Sequence, residues 1–159
     1  MTRFVASTLV LILLAGCGEG GSESGGGIDS PCDLTDAAQV ESVFGPSVSE
    51  GVEGEARNCS FEHDPGPVTS ISVYYFGDAD GWDGTRSGFE DNRGGTTDVS
   101  GIGDEAFHPN DTGPAELVVS AGGEIFAITV FSGLVEDPDP SVADDVAELA
   151  TLIANDLGS

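Results

Sequence analysis

The first 27 residues limit what this chain can fold into, because they are suited to export and tethering and not to packing in a core. After Met1-Thr-Arg3, a mostly apolar run extends from Phe4 to Leu14. One positive charge, a mostly apolar run of about 11 residues and small residues before a cleavage point are typical of an export signal. A membrane-spanning helix would need about 20 apolar residues. We therefore predict that residues 1–16 are a cleaved signal peptide.

The residues at the predicted cleavage point form a more specific motif. Leu14-Ala15-Gly16-Cys17 resembles a bacterial lipobox. This resemblance implies that the thiol of Cys17 receives a diacylglyceryl group and that a peptidase cuts just before it. A second acyl chain on the new amino terminus would make the anchoring stable, since one chain binds only marginally. The alternative is an ordinary signal peptide followed by a chance cysteine. The motif predicts a lipid-anchored protein on the extracytoplasmic face of the cell membrane.

The residues after Cys17 predict a tether followed by one folded domain. Residues 18–27 are rich in glycine and serine, a composition that behaves as flexible coil. Residues 28–159 remain, and a length of roughly 130 residues suits a single domain.

The charge of the chain excludes several classes of partner. The sequence has 29 acidic residues, four arginines and no lysine. All the acids follow Cys17 and Arg3 leaves with the signal peptide, so the mature chain carries 3 − 29 = −26 charges. Nucleic-acid binding needs basic residues that neutralise phosphates, so it is excluded, as is adhesion of the protein surface to anionic lipid. Salt screens the self-repulsion of such a surface, which resembles the acidic surfaces of salt-adapted proteins.

Two cysteines remain once Cys17 is assigned to the lipid anchor. Paired cysteines in an exported domain favour a disulfide bond, here between Cys32 and Cys59. A reactive thiol pair is the alternative, but it would have a C-x-x-C spacing. We therefore predict a structural disulfide.

Hydrophobic patterns predict a helix near each end of the domain and strands between them. Helices are expected over residues 36–44, with Thr35 as the N-cap, and from about residue 140 to 157. Strands are expected over residues 58–62, 68–76, 116–121 and 124–131, with a further short strand ending at residue 107. Residues 51–56 are interpreted as an acidic loop, and residues 77–98 as a polar excursion with a short helix around 84–91. The prediction is an α+β domain with a mostly antiparallel sheet of about five strands and the two helices packed on it.

Several short motifs are similar to those of small secreted lipoproteins of actinobacteria that carry a domain of unknown function. The motifs are Pro31-Cys32-x-Leu34-Thr35, the second cysteine at position 59, and the run Gly101-Ile-Gly-Asp-Glu-Ala-Phe107 before a hairpin. The resemblance covers residues 28–157. It implies the pairing of the two cysteines and a fold similar to the Mog1/PsbP group, and it implies no catalytic residues.

The stretch GDADGWDG, residues 77–84, is the only part of the sequence that suggests a calcium loop. An EF-hand loop begins with oxygen ligands at positions 1, 3 and 5 and has glycine at position 6. Counting from Asp78 places Asp80 at position 3 but Trp82 at position 5, so the template fails. A calcium site of another type would use Asp78, Asp80 and Asp83. The other interpretation is that Asp83 caps a short helix while Trp82 packs on the sheet.

The remaining candidates for chemistry are two histidines. His63 and His108 both fall at predicted strand ends, and a zinc site would need several such ligands to converge. The sequence contains no Gly-x-Ser-x-Gly nucleophile motif, and without lysine it has no phosphate-binding loop of the Walker type. We therefore predict no enzymatic activity and no cofactor.

These observations favour a non-enzymatic binding domain held at the membrane by its lipid anchor. The expected partner is another envelope protein, a polymer or a small ligand. A calcium-dependent sensor or buffer that uses the Asp78–Asp83 region is the second hypothesis. A hydrolase that depends on His63 or His108 is the third.

Overall fold

Seven strands and three α-helices make up the fold in the computed structural model, which describes residues 28–64, 68–132 and 140–158. The strands are β1 (Val52–Gly54), β2 (Asn58–Glu62), β3 (Val68–Asp78), β4 (Thr96–Val99), β5 (Glu105–Pro109), β6 (Glu116–Ala121) and β7 (Glu124–Ser132). The helices are α1 (Ala37–Phe44), α2 (Trp82–Asn92) and α3 (Pro140–Leu157). The predicted signal peptide, Cys17 and the tether lie outside the described residues.

All the strands belong to one antiparallel sheet with the order β1-β2-β3-β7-β6-β5-β4. The prediction of about five strands with two helices is therefore wrong, because the described residues form seven strands and α2 also packs on the sheet. The α+β class agrees with the structure. The strands that sequence analysis missed, β1 and β4, lie at the two edges and have 3 and 4 residues. A short edge strand has one neighbour and needs no apolar face, so it leaves no periodic pattern.

The two predicted hairpins are confirmed. Strands β2 and β3 pair from Asn58 opposite Tyr74 to Glu62 opposite Ser70. Strands β6 and β7 are joined by Gly122 and Gly123, with φ of 59° and 89°. Positive φ at both central residues is what a tight hairpin turn of this type requires, and glycine adopts it at little cost.

The main core lies on one face of the sheet, here called the inner face, which α1 and α3 cover. Successive side chains of a strand point to opposite faces, so alternate residues of each strand enter this core. The predicted apolar stripe of α3 is confirmed, since it is buried at Val142, Val146, Leu149 and Ile153. In the described part of the chain, no helix has the length and apolar character needed to span a membrane.

The start of α1 differs by one residue from the prediction. Asp36 is the N-cap, and its carboxylate accepts a hydrogen bond from the backbone N–H of Gln39 at 2.8 Å. The predicted cap, Thr35, is buried one residue earlier and donates its hydroxyl to the Gln39 side chain. Threonine and aspartate can both cap a helix, so the sequence alone did not determine whether Thr35 or Asp36 is the N-cap.

The predicted disulfide is confirmed between Cys32 and Cys59, with an S–S distance of 2.06 Å. It joins the 3-10 turn Pro31–Asp33 to β2, and Cys59 is completely buried in the inner-face core. The bond therefore fastens the start of the domain to the sheet.

The opposite, outer face of the sheet is only partly covered. Helix α2 places Trp82 and Phe89 against this face, where they pack on a small second core. The strand residues of that core are Phe107, Val118, Ile125 and Ala127. The outer sides of β2, β3 and the end of β7 extend beyond α2, and this uncovered area holds the candidate site.

Candidate functional site

The structure does not gather the predicted calcium residues into a cluster. Asp78 ends β3 opposite Glu124, Asp80 lies in the 3-10 turn Ala79–Gly81, and Asp83 lies in the first turn of α2. Among residues 28–64, 68–132 and 140–158, no group of three or more acidic, histidine or cysteine side chains is placed to hold a metal ion. Helix α2 begins at Trp82, so the expected capping role of Asp83 is wrong, whereas the packing of Trp82 on the sheet is confirmed.

The acid opposite Asp78 is engaged in a contact of its own. Glu124 accepts a 2.6 Å hydrogen bond from the hydroxyl of Tyr75. Burial of the ring, together with this hydrogen bond, raises the pKa of Tyr75 to about 12. The phenol therefore stays protonated at neutral pH and ties β3 to the neighbouring strand β7.

The two histidines do not converge. His63 follows the end of β2 and its Nδ1 lies 3.2 Å from the carbonyl oxygen of Val68. His108 is in β5, and its Nδ1 lies 2.6 Å from the carbonyl oxygen of Glu116. Three strands separate β2 from β5, which corresponds to about 19 Å at the usual strand spacing. The two rings cannot share a metal ion or act on one substrate atom.

A groove on the uncovered part of the outer face is the strongest candidate for a binding site. Its volume is about 460 Å³, within the range of small-ligand sites. We call it the aromatic groove. Its lining residues come from β3, β6, β7, α2 and the loops beside them: Ala56, Tyr74, Phe76, Phe89, Arg93, Thr112, Glu116, Thr129 and Phe131.

The aromatic groove exposes two large apolar side chains. Phe76 is 42% exposed and Phe131 is 47% exposed. Phe76 occupies an irregularity in the pairing of β3 with β7, between Tyr75 and Gly77. The centres of the Phe76 and Phe89 rings are 6.0 Å apart, and the rings pack in a T-shaped arrangement. This contact joins the open part of the outer face to helix α2. The groove therefore has aromatic side chains on the sheet and on the helix.

A row of polar side chains crosses the outer face between the aromatic residues. Ser60, Ser72 and Thr129 are register partners on β2, β3 and β7, and the row ends at Glu116 on β6. The hydroxyl oxygens of Ser60 and Ser72 are 2.8 Å apart. The outer face thus combines exposed apolar rings with groups that can form hydrogen bonds.

One charged pair lies in the groove. Glu116 has a side chain that is only 9% exposed, and it accepts a 2.9 Å hydrogen bond from Arg93. Arg93 also donates to Asp111 at 2.6 Å and lies over the ring of Phe89. The bond to Asp111 is the main reason that the pKa of Arg93 is raised, and Arg93 in turn lowers the pKa of Asp111. The guanidinium is therefore neutralised by two carboxylates of the protein itself.

The other two arginines in the described part of the chain also make contacts within the domain. Arg86 pairs with Glu90 at 3.0 Å and with Asp98 at 2.7 Å. Arg57 lies 4.6 Å from the centre of the Tyr75 ring. The cations of this domain thus make contacts within it, while most of its acidic side chains are exposed to solvent.

Sequence analysis missed the aromatic groove, although one signal for it was present. Tyr74, Tyr75 and Phe76 are consecutive in a strand, and neighbouring residues of a strand face opposite sides. All three rings cannot enter one core, so at least one had to face outward. Whether α2 would cover that ring depended on packing between segments far apart in the sequence.

Comparison of the chain with protein-family models, with curated proteins and with solved structures finds no match. The similarity to actinobacterial lipoproteins and to the Mog1/PsbP fold stays a prediction from the sequence motifs.

Proposed function

We propose that this protein is a lipid-anchored extracytoplasmic domain that binds its partner without catalysis, through the aromatic groove. One observation carries the proposal: the exposed rings of Phe76 and Phe131 both line a groove on the part of the outer face that no other described element covers. Exposed apolar side chains that line a groove together with polar groups are typical of an interaction surface. The acidic remainder of the surface keeps the domain soluble and suits it to high salt.

The anchoring half of the proposal rests on the lipobox at residues 14–17 and on the composition of residues 18–27. A glycine-rich coil of that length has a root-mean-square span of about 17 Å. The tether would therefore hold the domain close to the membrane while leaving its outer face free to meet partners in the envelope.

We expect the full-length chain, expressed in a bacterial host, to carry a diacylglyceryl group on Cys17. Cys17→Ala removes the only thiol in the lipobox, so lipidation should disappear completely. Mass spectrometry of the N-terminal peptide from membrane and soluble fractions measures this. The Cys32→Ala/Cys59→Ala variant is the control, since it loses two cysteines and should keep the lipid. A mature wild-type chain with an unmodified Cys17 would contradict the anchoring proposal.

We expect a photo-reactive aromatic residue, benzoylphenylalanine, to form covalent adducts in producing cells when it replaces Phe131 or Phe76. Both positions are exposed in the aromatic groove, so a bound partner would lie within reach. The matched control places the same residue at Glu148, which is exposed on α3 on the opposite side of the sheet. Adducts of discrete mass at the groove positions alone are the expected result. Equal labelling at position 148, or no adduct at any position, argues against the groove as the binding surface.

A further inference from the structure

We infer that the occupant of the aromatic groove is an extended, positively charged polypeptide segment with at least one aromatic side chain. This inference rests on the proposed function, because it names the chemistry of the partner that the same groove would bind. It is carried by charge complementarity, by an acidic side chain near the exposed ring of Phe131, and by the dimensions of the open sheet face.

The negative charge of the domain favours a positively charged partner. The chain after Cys17 carries −26 charges, and the arginine in the groove is already paired with Asp111 and Glu116. An anionic segment would therefore meet repulsion from the protein and no available cation in the groove. A cationic segment would be attracted over long range and steered to the surface.

An acidic side chain lies close enough to the exposed ring of Phe131 to recognise the same segment. Glu62 is exposed at the end of β2, and its register partner Ser70 is in turn opposite Phe131 on β7. Glu62 and Phe131 are thus two strands apart on the outer face, or about 10 Å. An extended peptide covers that distance in about three residues. A lysine two residues from a phenylalanine points to the same side of the peptide and reaches Glu62 with its flexible stem.

The open face also continues beyond the groove toward the edge of the sheet. A second depression of about 530 Å³ on β1 and β2 is lined by Glu50, Val52 and Glu62, among others. From β1 to β6 the face spans four strand spacings, or about 19 Å, which an extended segment of about six residues would cross. A chain of that length places apolar side chains in the aromatic groove and a cation at the acidic end.

A second copy of this chain is a less suitable occupant. Two copies would each bring −26 charges to the contact, so pairing through this face would require strong screening. A cationic segment would instead be attracted to the acidic surface.

The test uses the full-length chain in a neutral detergent and three blocked synthetic peptides: KTFTFTK, QTFTFTQ and ETFTFTE. Fluorescence anisotropy of labelled peptides measures binding. We expect the lysine peptide to bind at least tenfold more tightly than the glutamine peptide, and the glutamate peptide not to bind. The affinity of the lysine peptide should fall as salt rises from 0.1 to 1 M, because the Debye length decreases from about 10 Å to about 3 Å.

Two variants locate the bound peptide. Phe131→Ala should weaken binding of the lysine peptide at least tenfold, and Glu62→Gln about threefold. Both side chains are exposed, so their loss should leave the fold intact, which circular dichroism checks. Asp144→Asn is the control, since it removes one exposed acid from α3 on the far side of the sheet and should leave the affinity unchanged.

Several results would overturn the inference. Equal, Phe131-dependent binding of the lysine and glutamine peptides would refute the cationic partner while leaving the groove as the binding surface. Lysine-peptide binding that Phe131→Ala does not change would mean non-specific attraction to the acidic surface. Self-association that Phe131→Ala abolishes would identify a second copy as the occupant. If no peptide binds, the inference fails, and adducts at position 131 in the photo-crosslinking experiment then decide whether the proposed function survives.

Discussion

The Cys32→Ala/Cys59→Ala variant is expected to lose about 3–4 kcal/mol of unfolding free energy, because the disulfide no longer restricts the unfolded chain. The bond closes a loop with a sequence separation of 27 residues and fastens the N-terminal turn to β2. For a domain of this size, the loss corresponds to a decrease of roughly 13 °C in Tm. Thermal and urea unfolding of the full chain, followed by circular dichroism, measures both quantities.

Reduction of the wild-type protein is the matched control for this prediction. Reductant breaks the same bond but keeps both sulfur atoms, so it separates loss of the crosslink from loss of packing around the buried Cys59. Wild-type protein with reductant should unfold near the midpoint of the double variant, and the double variant should not respond to reductant. An unchanged wild-type midpoint under reduction would show that the crosslink adds nothing to stability.

The second large effect is expected at the tip of the β6–β7 hairpin. Gly122 has φ of 59°, and a β-carbon at this position would collide with the backbone of Leu157 at the end of α3. Alanine in a left-handed conformation costs about 1–2 kcal/mol, and forced overpacking costs about 1–3 kcal/mol more. Gly122→Ala should therefore lower the unfolding free energy by about 2–5 kcal/mol.

The neighbouring glycine provides a control with the same backbone requirement. Gly123 has φ of 89°, but a β-carbon there would meet no atom within 4 Å. Gly123→Ala should lose only the conformational part, about 1–2 kcal/mol. Urea unfolding of both variants measures the difference. Equal losses would mean that the end of α3 does not rest against the hairpin.

The elements that sequence analysis predicted correctly have strong local signals. The β6–β7 hairpin follows from two glycines between apolar strands, and the length of α3 follows from an apolar stripe at helical spacing. The disulfide followed from the count of cysteines in a chain that is predicted to be exported. The signals for the hairpin and the helix lie within the segments that form these elements. The disulfide has only one possible pairing once Cys17 is assigned to the lipid anchor. None of these predictions requires knowledge of the whole fold.

The candidate site was much less predictable, because its parts come from distant segments. The pair in the groove joins Arg93 to Glu116, which are 23 residues apart. The chain has 29 acidic residues, so the sequence does not indicate which of them pairs with Arg93. Phe76 belongs to β3 and Phe131 to β7, and nothing in the sequence of either strand indicates that β3 pairs with β7. The aspartates of GDADGWDG looked more like a site in the sequence, yet the turn and the helix start hold them apart.

By itself, the sequence determined an acidic domain without lysine, the order of its longer helices and strands, its central hairpins and its covalent crosslink. The tertiary structure alone decided that β7 pairs with β3, that two short polar segments complete the sheet at its edges, and that α2 covers only part of the outer face. The physical reason is that local periodicity identifies which residues share a face of a strand. Which of those faces is then covered depends on long-range packing between elements, and that choice left Phe76 and Phe131 exposed.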